Sequence, residues 1–335
     1  MASEITDKRV WTTLITNTAY LSGLLTLDHS LKLVKSEYRL VALYTDTFPV
    51  EGHAALDARG IPKLPIEYLL PTKSKDYSAD PRFYDCWSKL QPFSLTQFDK
   101  IVQLDSDMVV LKNMDELFDL DLENVGDGKQ GGKVFGASHA CVCNPMEFEH
   151  YPKDWIPANC TFTEYHETSV TVSKEGEDES VVALGPQPGD TKLKICNGGL
   201  QLVAPNKEYH QAILNKLEDD SAASYEFADQ SLLSDVFDSK WVGLSYIYNF
   251  LKTMVSVHPQ LKIERVKNVH YILTPKPWNV VPVDEADNSK YEYRVENRPT
   301  DGKLFTDDTD TFKYWWNVNS DRLDREAERN INDGF

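Results

Sequence analysis

The sequence predicts an α/β fold, with a mainly parallel sheet flanked by helices. Three observations carry this expectation. Runs of β-branched and apolar residues alternate with segments of helical apolar spacing through the first third of the chain, the order that wraps crossover helices onto both faces of a parallel sheet. One such run, "QLDSDMVV" from Gln103 to Val110, begins as a buried strand and ends in charge. The 335 residues are 41% hydrophobic, enough apolar material for one large domain or two modest ones.

In order, "RVWTTLIT" (Arg9 to Thr16) reads as the first strand, and the segment after it spaces Tyr20, Leu21, Leu24, Leu25 and Leu31 as a helix, with Asn17 and Thr18 as candidate N-caps. "YRLVALYTD" is the next buried strand, "HAALDARG" a helix stopped at Gly60, and "PIEYLL" a third strand. "WSKLQPFSLTQF" looks helical, with Pro92 tolerable only near an end or a kink. "KIVQLDSDMVV" is the following strand. The glycine-rich "GDGKQGGK" (Gly126 to Lys133) lacks the spacing and the Ser/Thr of a phosphate loop and reads as a turn. "VFGAS" and "CNGGLQLVAP" are strands, the acidic "SKEGEDES" closed by "GPQPGD" is a solvated loop, and "YHQAILNKLED" and "DQSLLSDVF" are helices. The stretch from Thr306 to the end reads as a surface helix that packs two tryptophans and ends in a polar tail. No internal repeat is present.

A net charge of −18 argues against nucleic acid and anionic membranes as partners, since both need a basic face. The opening "MASEITDKRVW" lacks the apolar core of a secretory signal, and no apolar run approaches the roughly 20 residues that span a bilayer, so a cytoplasmic location is expected. The five cysteines, Cys86, Cys141, Cys143, Cys160 and Cys196, are irregularly spaced without a paired CxxC, which points to reduced thiols rather than zinc. "NCT" at Asn159 matches a glycosylation sequon that has no meaning without secretion.

Ligands of open α/β sheets bind beyond the carboxyl ends of the strands. Asp105 and Asp107 lie at such an end, and they converge on one cation only if the backbone turns between them. Hard oxygen ligands suit Mg²⁺ or Mn²⁺ completed by phosphate oxygens. Lys89 upstream, and His270 and Lys276 in "HYILTPKPW", add a candidate third metal ligand and two candidate phosphate contacts.

These blocks resemble, in order from about residue 9 to about residue 279, the retaining glycosyltransferase family 8 of glycogenin-like enzymes. The resemblance implies a single GT-A domain with a Rossmann-like, mostly parallel mixed sheet, a UDP-sugar donor, and Mn²⁺ or Mg²⁺. By position, Leu14, Thr16, Asn17 and Tyr20 in "TTLITNTAYLSGLLTLDHSLK" would contact the uracil and ribose. "KLQPFSLTQFDKIVQLDSDMVVLKNMDELF" would bring Lys89 toward the diphosphate and Asp105 and Asp107 to the metal, with Ser106 between them against the donor; His270 would be the third metal ligand. "NGGLQLVAP" would line the sugar pocket through Asn197 and Gly198, "FADQSLL" would set Asp229 and Gln230 beneath the transferred sugar, and Lys276 would hold phosphate. Residues 1–290 would form the transferase domain, with 8–120 as its nucleotide half and 121–290 as its acceptor and sugar half; 291–335 would be a helical extension.

Three departures shape the expected function. Leu273 stands where the family has a glycine whose backbone approaches the β-phosphate. His139 falls near the position of a sugar-binding aspartate in glycogenin. No tyrosine follows "YNFLKTM" at the self-glucosylation position. The insert from Cys141 to Cys160 more nearly resembles the galactinol synthases of the same family, which glycosylate inositol. The implied reaction is transfer of glucose or galactose from a UDP-sugar, with retention, to a small molecule, glycan or protein, by a monomer or a homodimer. In it Asp229, Gln230 and Lys89 would be catalytic, and residues 166–190 would close over the donor. A catalytically silent nucleotide-sugar binder or scaffold is the alternative. A nucleotidyltransferase is disfavoured because no glycine-rich loop follows the first strand.

Overall fold

The computed structural model describes residues 5–73, 76, 82–125, 132–173, 179–284, 287–294 and 311–335. Strand β1 (Arg9–Ile15) leads through a 3-10 turn into helix α1 (Leu21–Leu33); Asn17 caps that turn, its side chain accepting from the Ala19 amide. β2 (Leu40–Tyr44), α2 (Val50–Ala58) and β3 (Lys63–Pro65) follow, with Gly60 at φ +67° ending the helix turn. β3 is shorter and earlier than "PIEYLL" suggests, because Pro62 and Pro65 bracket it without amide donors. A short α3 (Arg82–Cys86) runs into a 3-10 helix over Trp87–Ser94, the tighter form in a segment where Pro92 removes a donor from the helical ladder.

The run from Lys100 to Val110 is not one strand. It divides into β4 (Lys100–Leu104) and β5 (Met108–Val110), which pair in different sheets, and Asp105 to Asp107 form the turn between them. β6 (Phe135–Ala137), β9 (Leu200–Val203) and β10 (Trp241–Gly243) complete the main sheet, and β7 (Thr168–Val172) and β8 (Ser180–Leu184) form a hairpin. Residues 174–178 of the acidic segment and residues 126–131 of the glycine-rich stretch lie outside the described part. Helices α4 (Lys207–Glu218) and α5 (Ala228–Val236) lie between β9 and β10 in sequence. β11 (Phe250–Leu251), α6 (Met254–Val257), β12 (Asn268–His270), the strand pair β13 (Val280–Asp284) and β14 (Asp287–Tyr293), and α7 (Phe312–Glu328) end the chain.

The seven-stranded sheet has the order β10-β6-β9-β4-β1-β2-β3, and β9 alone runs antiparallel to its neighbours. Side chains alternate between its faces. Trp11, Val102 and Leu202 share one apolar core with α1, α2 and α7, whereas Phe135, Val203 and Trp241 share another with α4, α5 and the 3-10 helix of Trp87. Of the tryptophans in α7, Trp315 is buried and Trp316 half-buried. An ion network centred on the buried Arg59, Arg322 and Glu326 fastens α7 to the end of α2: Arg59 donates to Glu326 at 2.7 Å and to the exposed Asp333 at 2.6 Å, and Arg322 donates to Glu326 at 2.8 Å. No helix among the described residues is long and apolar enough to cross a membrane.

Candidate active site

β2 and β3 continue the sheet to one side of β1, while β4 lies on the other, so the chain reverses direction across the sheet between β1 and β4. At such a switch point the loops diverge and leave a crevice beyond the carboxyl ends. A cavity of about 270 Å³ opens there. Every residue singled out from the sequence for donor, metal or catalysis lines it: Leu14, Thr16, Asn17 and Tyr20 from the end of β1, Lys89 from the 3-10 helix, Asp105, Ser106 and Asp107 from the turn after β4, Asn197 and Gly198 before β9, Asp229 and Gln230 in α5, His270 at the end of β12 and Lys276 after it.

Strand register assembles the charged centre. β5 pairs antiparallel with β12 so that Met108 faces His270, which places His270 beside Asp107. His270 Nε2 lies 3.2 Å from Asp107 Oδ1 and 3.5 Å from Asp105 Oδ2. Its other nitrogen, Nδ1, is 3.0 Å from Asn249 Oδ1, and Asn249 Nδ2 in turn donates to Asn197 Oδ1 at 2.8 Å. This chain fixes the ring: Asn249 presents its oxygen, so Nδ1 carries the hydrogen, and in the neutral imidazole the Nε2 lone pair points at two carboxylates. Lone pair facing carboxylate is repulsive without a cation between them. The three ligand atoms lie within 4.8 Å of one another, so the Asp–Asp–His set fits a hard divalent cation such as Mn²⁺.

Two ammonium groups balance the carboxylates, that of Lys276 buried and that of Lys89 partly buried. Lys89 Nζ is 2.7 Å from Asp105, and Lys276 Nζ pairs with Asp107 and donates to the Tyr271 carbonyl at 2.7 Å. Burial opposes the charge on Lys89, but Asp105 more than compensates and holds it well above its ordinary range. Burial likewise pushes Asp107 up, and the Lys276 ammonium leads in overcoming this to hold it well below the usual carboxylate range.

The glycines of "NGG" create the space around these groups. A Cβ on Gly198 would meet Asp229 Oδ2 at 2.3 Å, and one on Gly199 would meet His270 Cε1 at 2.3 Å. Asp229 lies inside the first turn of α5 rather than at its N-cap, which is Phe227. Its Oδ2 accepts from Gln201 Nε2 at 3.3 Å, while Gln230 Oε1 accepts from the Gly198 amide at 3.2 Å. Burial pushes the Asp229 carboxyl up to about 7 against the pull of Lys89. Ala228, immediately before it, has φ +38°, a left-handed conformation unusual for a residue with a side chain.

The departures from the family pattern resolve differently. Leu273 lines the cavity with φ +61°, so its backbone keeps the conformation that favours glycine although its side chain does not. His139 does not line the cavity. It is buried against Trp241, and its Nε2 donates to the Pro186 carbonyl at 2.8 Å. No described residue from 166 to 190 lines the cavity either.

Sequence reasoning missed three contributors. Asp85 accepts from Thr16 Oγ1 at 2.7 Å and orients it. Asn249 fixes the tautomer of His270. The insert after Ala140 forms a wall of the cavity through Met146, Phe148, Tyr151 and Trp155, and Trp155 stacks on Phe227 with centroids 4.4 Å apart. Asp85 and Asn249 sit outside any spaced motif, so no local signal marks them.

The family model of "Glycosyl transferase family 8" matches residues 12–281. A galactinol synthase 1 from Ajuga reptans is 26% identical over 318 residues, covering 94% of this chain and 82% of that protein. Among solved structures, the galactosyltransferase LgtC in complex with donor and acceptor sugar analogs superposes with a TM-score of 0.54 at 15% identity, over 93% of this chain and 96% of that one. The glycosyltransferase GlyE of Streptococcus pneumoniae TIGR4 gives a TM-score of 0.52 at 18% identity; 97% of this chain is covered, but only 65% of the pneumococcal one.

Proposed function

From the premise that the chain belongs to glycosyl transferase family 8 and is a GT-A glycosyltransferase, we propose that it transfers a hexose from a UDP-sugar to an acceptor hydroxyl, with retention at the anomeric carbon and with a divalent metal. The observation that carries this reading is one cavity in which a cation-seeking Asp–Asp–His set, Lys89, the buried Lys276 and the buried Asp229 converge. Asp105, Asp107 and His270 would hold the metal, which as a Lewis acid neutralises charge on the departing diphosphate. Lys89 and Lys276 add fixed positive charge in a water-poor site, where it stabilises that leaving group more than it would in water. Asp229 stabilises positive charge developing at the anomeric carbon, and Gln230, tied to the Gly198 amide, positions the sugar. Leu14, Thr16, Asn17 and Tyr20 hold the nucleoside. The name of the curated relative favours galactose as the sugar and inositol as the acceptor.

The test is a donor screen with Mn²⁺, each common UDP-sugar, and myo-inositol present or absent, following UDP release with and without EDTA. Release from one donor that EDTA abolishes, and that Asp107→Ala loses, is the expected result. UDP binding without release from any donor, inositol included, would overturn the reading in favour of a silent nucleotide-sugar binder.

A further inference from the structure

The spacing of the cysteines lacks a paired CxxC, but sequence spacing does not limit what the fold brings together. The fold carries Cys141, Cys143 and Cys160 to His258, which lies 98 residues beyond the last of them. The His258 Nε2 atom is 3.4 Å from Cys141 Sγ, 3.3 Å from Cys143 Sγ and 3.4 Å from Cys160 Sγ, and the Cys141 and Cys160 sulfurs are 3.9 Å apart. Hydrogen bonding does not account for this pattern. One imidazole nitrogen carries one hydrogen or one lone pair, so it can serve one sulfur, not three at equal range. A disulfide does not account for it either, since bonded sulfurs stand about 2.05 Å apart.

A tetrahedral cation accounts for all four distances. With Zn–S of about 2.3 Å and Zn–N of about 2.0 Å, the edges of an S₃N tetrahedron are about 3.5 Å for S···N and about 3.8 Å for S···S. The observed edges match these within about 0.2 Å. Thiolate and imidazole together select zinc over the hard cations suited to the Asp–Asp–His set. Cys143, Cys160 and His258 are buried and Cys141 is partly so, and four protein ligands leave no open position, as in a structural rather than a catalytic site.

We propose that Cys141, Cys143, Cys160 and His258 bind one structural zinc ion that fastens the cavity wall. The segment between Cys143 and Cys160 carries Met146, Phe148, Tyr151 and Trp155, all lining the cavity, and Trp155 stacks on Phe227 two residues before Asp229. The fourth ligand follows α6, whose N-cap residue Thr253 lines the same cavity. The ion thus closes a loop of insert onto the element that begins at the cavity floor. It acts independently of the donor-site metal and of the reaction proposed above.

The experiment uses the full chain without an affinity tag, purified in zinc-containing buffer under reducing conditions and then dialysed against EDTA to clear the Asp–Asp–His site. Elemental analysis should find one zinc per chain, released in step with modification of three thiols by a mercurial. Cobalt exchange should give the intense visible bands of a tetrahedral site and thiolate-to-cobalt charge transfer, in the wild type and in Asp107→Asn but not in Cys160→Ser. Wild-type protein with less than a tenth of a zinc per chain and no thiolate–cobalt spectrum after reduction would overturn the proposal, whatever the variants do. So would a Cys141–Cys160 disulfide found by mass spectrometry in protein kept reduced, or zinc that Asp107→Asn loses and Cys160→Ser keeps.

Discussion

Asp229→Asn should make the protein more stable, and by more at neutral and alkaline pH than in acid. The carboxyl is fully buried, and burial raises it from 3.8 to about 7 although Lys89 pulls the other way. Raised above its unfolded value, an acid binds its proton more tightly in the fold, so it destabilises as pH climbs from the unfolded value to the folded one, with the full cost reached above pH 7. At about 1.4 kcal/mol per tenfold, the penalty is about 2 kcal/mol at pH 5 and rises to about 4 kcal/mol at pH 8. Asparagine keeps the shape and the acceptor for Gln201 but cannot ionise, so it escapes the penalty. Urea denaturation of both proteins with a chelator present, at pH 5 and pH 8, measures the difference. With a urea slope near 3 kcal/mol/M, the variant midpoint should lie about 1 M above wild type at pH 8, and the gap should roughly halve at pH 5. A gap of the same size at both values, or a variant less stable at pH 8, would refute the assignment of Asp229 as a desolvated carboxylate. The same variant should lose glycosyl transfer, because the charge that costs stability is the one proposed to face the anomeric carbon.

Asn249→Ala removes the acceptor that fixes His270, and the Mn²⁺ concentration for half-maximal activity should rise about 10- to 100-fold with little change in rate at saturating metal; an Mn²⁺ titration of UDP release reads both. At Leu273, φ +61° penalises a β-branched side chain and suits glycine. Leu273→Val should therefore cost about 1–2 kcal/mol in a denaturation midpoint, and Leu273→Gly should stay within about 1 kcal/mol of wild type. Arg59→Ala takes one of two guanidinium partners from the buried Glu326 and the partner from the exposed Asp333, and should cost about 1.5–3 kcal/mol by thermal unfolding. Burial raises Glu326, but Arg59 and Arg322 outweigh it, and Arg59 also lowers Asp333. Both carboxyls therefore contribute stability above their unfolded values and lose it as pH falls through the folded ones, so the Arg59→Ala deficit should shrink in acid.

How far the sequence reveals this molecule depends on the range over which its information acts. β1, β2 and β4 are legible because β-branched apolar runs act within a few residues, and the residues at their carboxyl ends inherit a place beyond the sheet. The split of Lys100 to Val110 is not legible as periodicity, since both halves are apolar and only tertiary pairing sends β5 to β12 instead of onward beside β1. The pairing of β7 with β8 is hidden in the sequence by the acidic run between them, which reads as loop. Proline explains why "PIEYLL" and "WSKLQPFSLTQF" fall short of a full strand and a full α-helix: a missing amide weakens a ladder by an amount that neighbouring propensity does not reveal. Asn249 and the Cys–His cluster lie furthest from view, because their partners are up to 117 residues apart and nothing local marks either end.

The departures from ordinary folding rules cluster around the cavity, and each has a nearby device that holds it. Ala228 takes a left-handed conformation and aims Asp229 inward; α5 and the Trp155–Phe227 stack fix the residues beside it. Leu273 does the same on the loop after β12, which Lys252, fully buried, secures by donating to the Pro275 carbonyl at 2.8 Å. The two aspartates, adjacent and acidic, are held together by two lysines and one oriented histidine. Local strain of this kind persists only where the surroundings over-determine it. A wall that merely covered the cavity would need none of these fixations. A wall that sets the position of Asp229 must be rigid, and in an insert with little regular secondary structure between Cys143 and Cys160, rigidity has to come from cross-links: aromatic stacking on one side and, on the other, the three sulfurs gathered around His258.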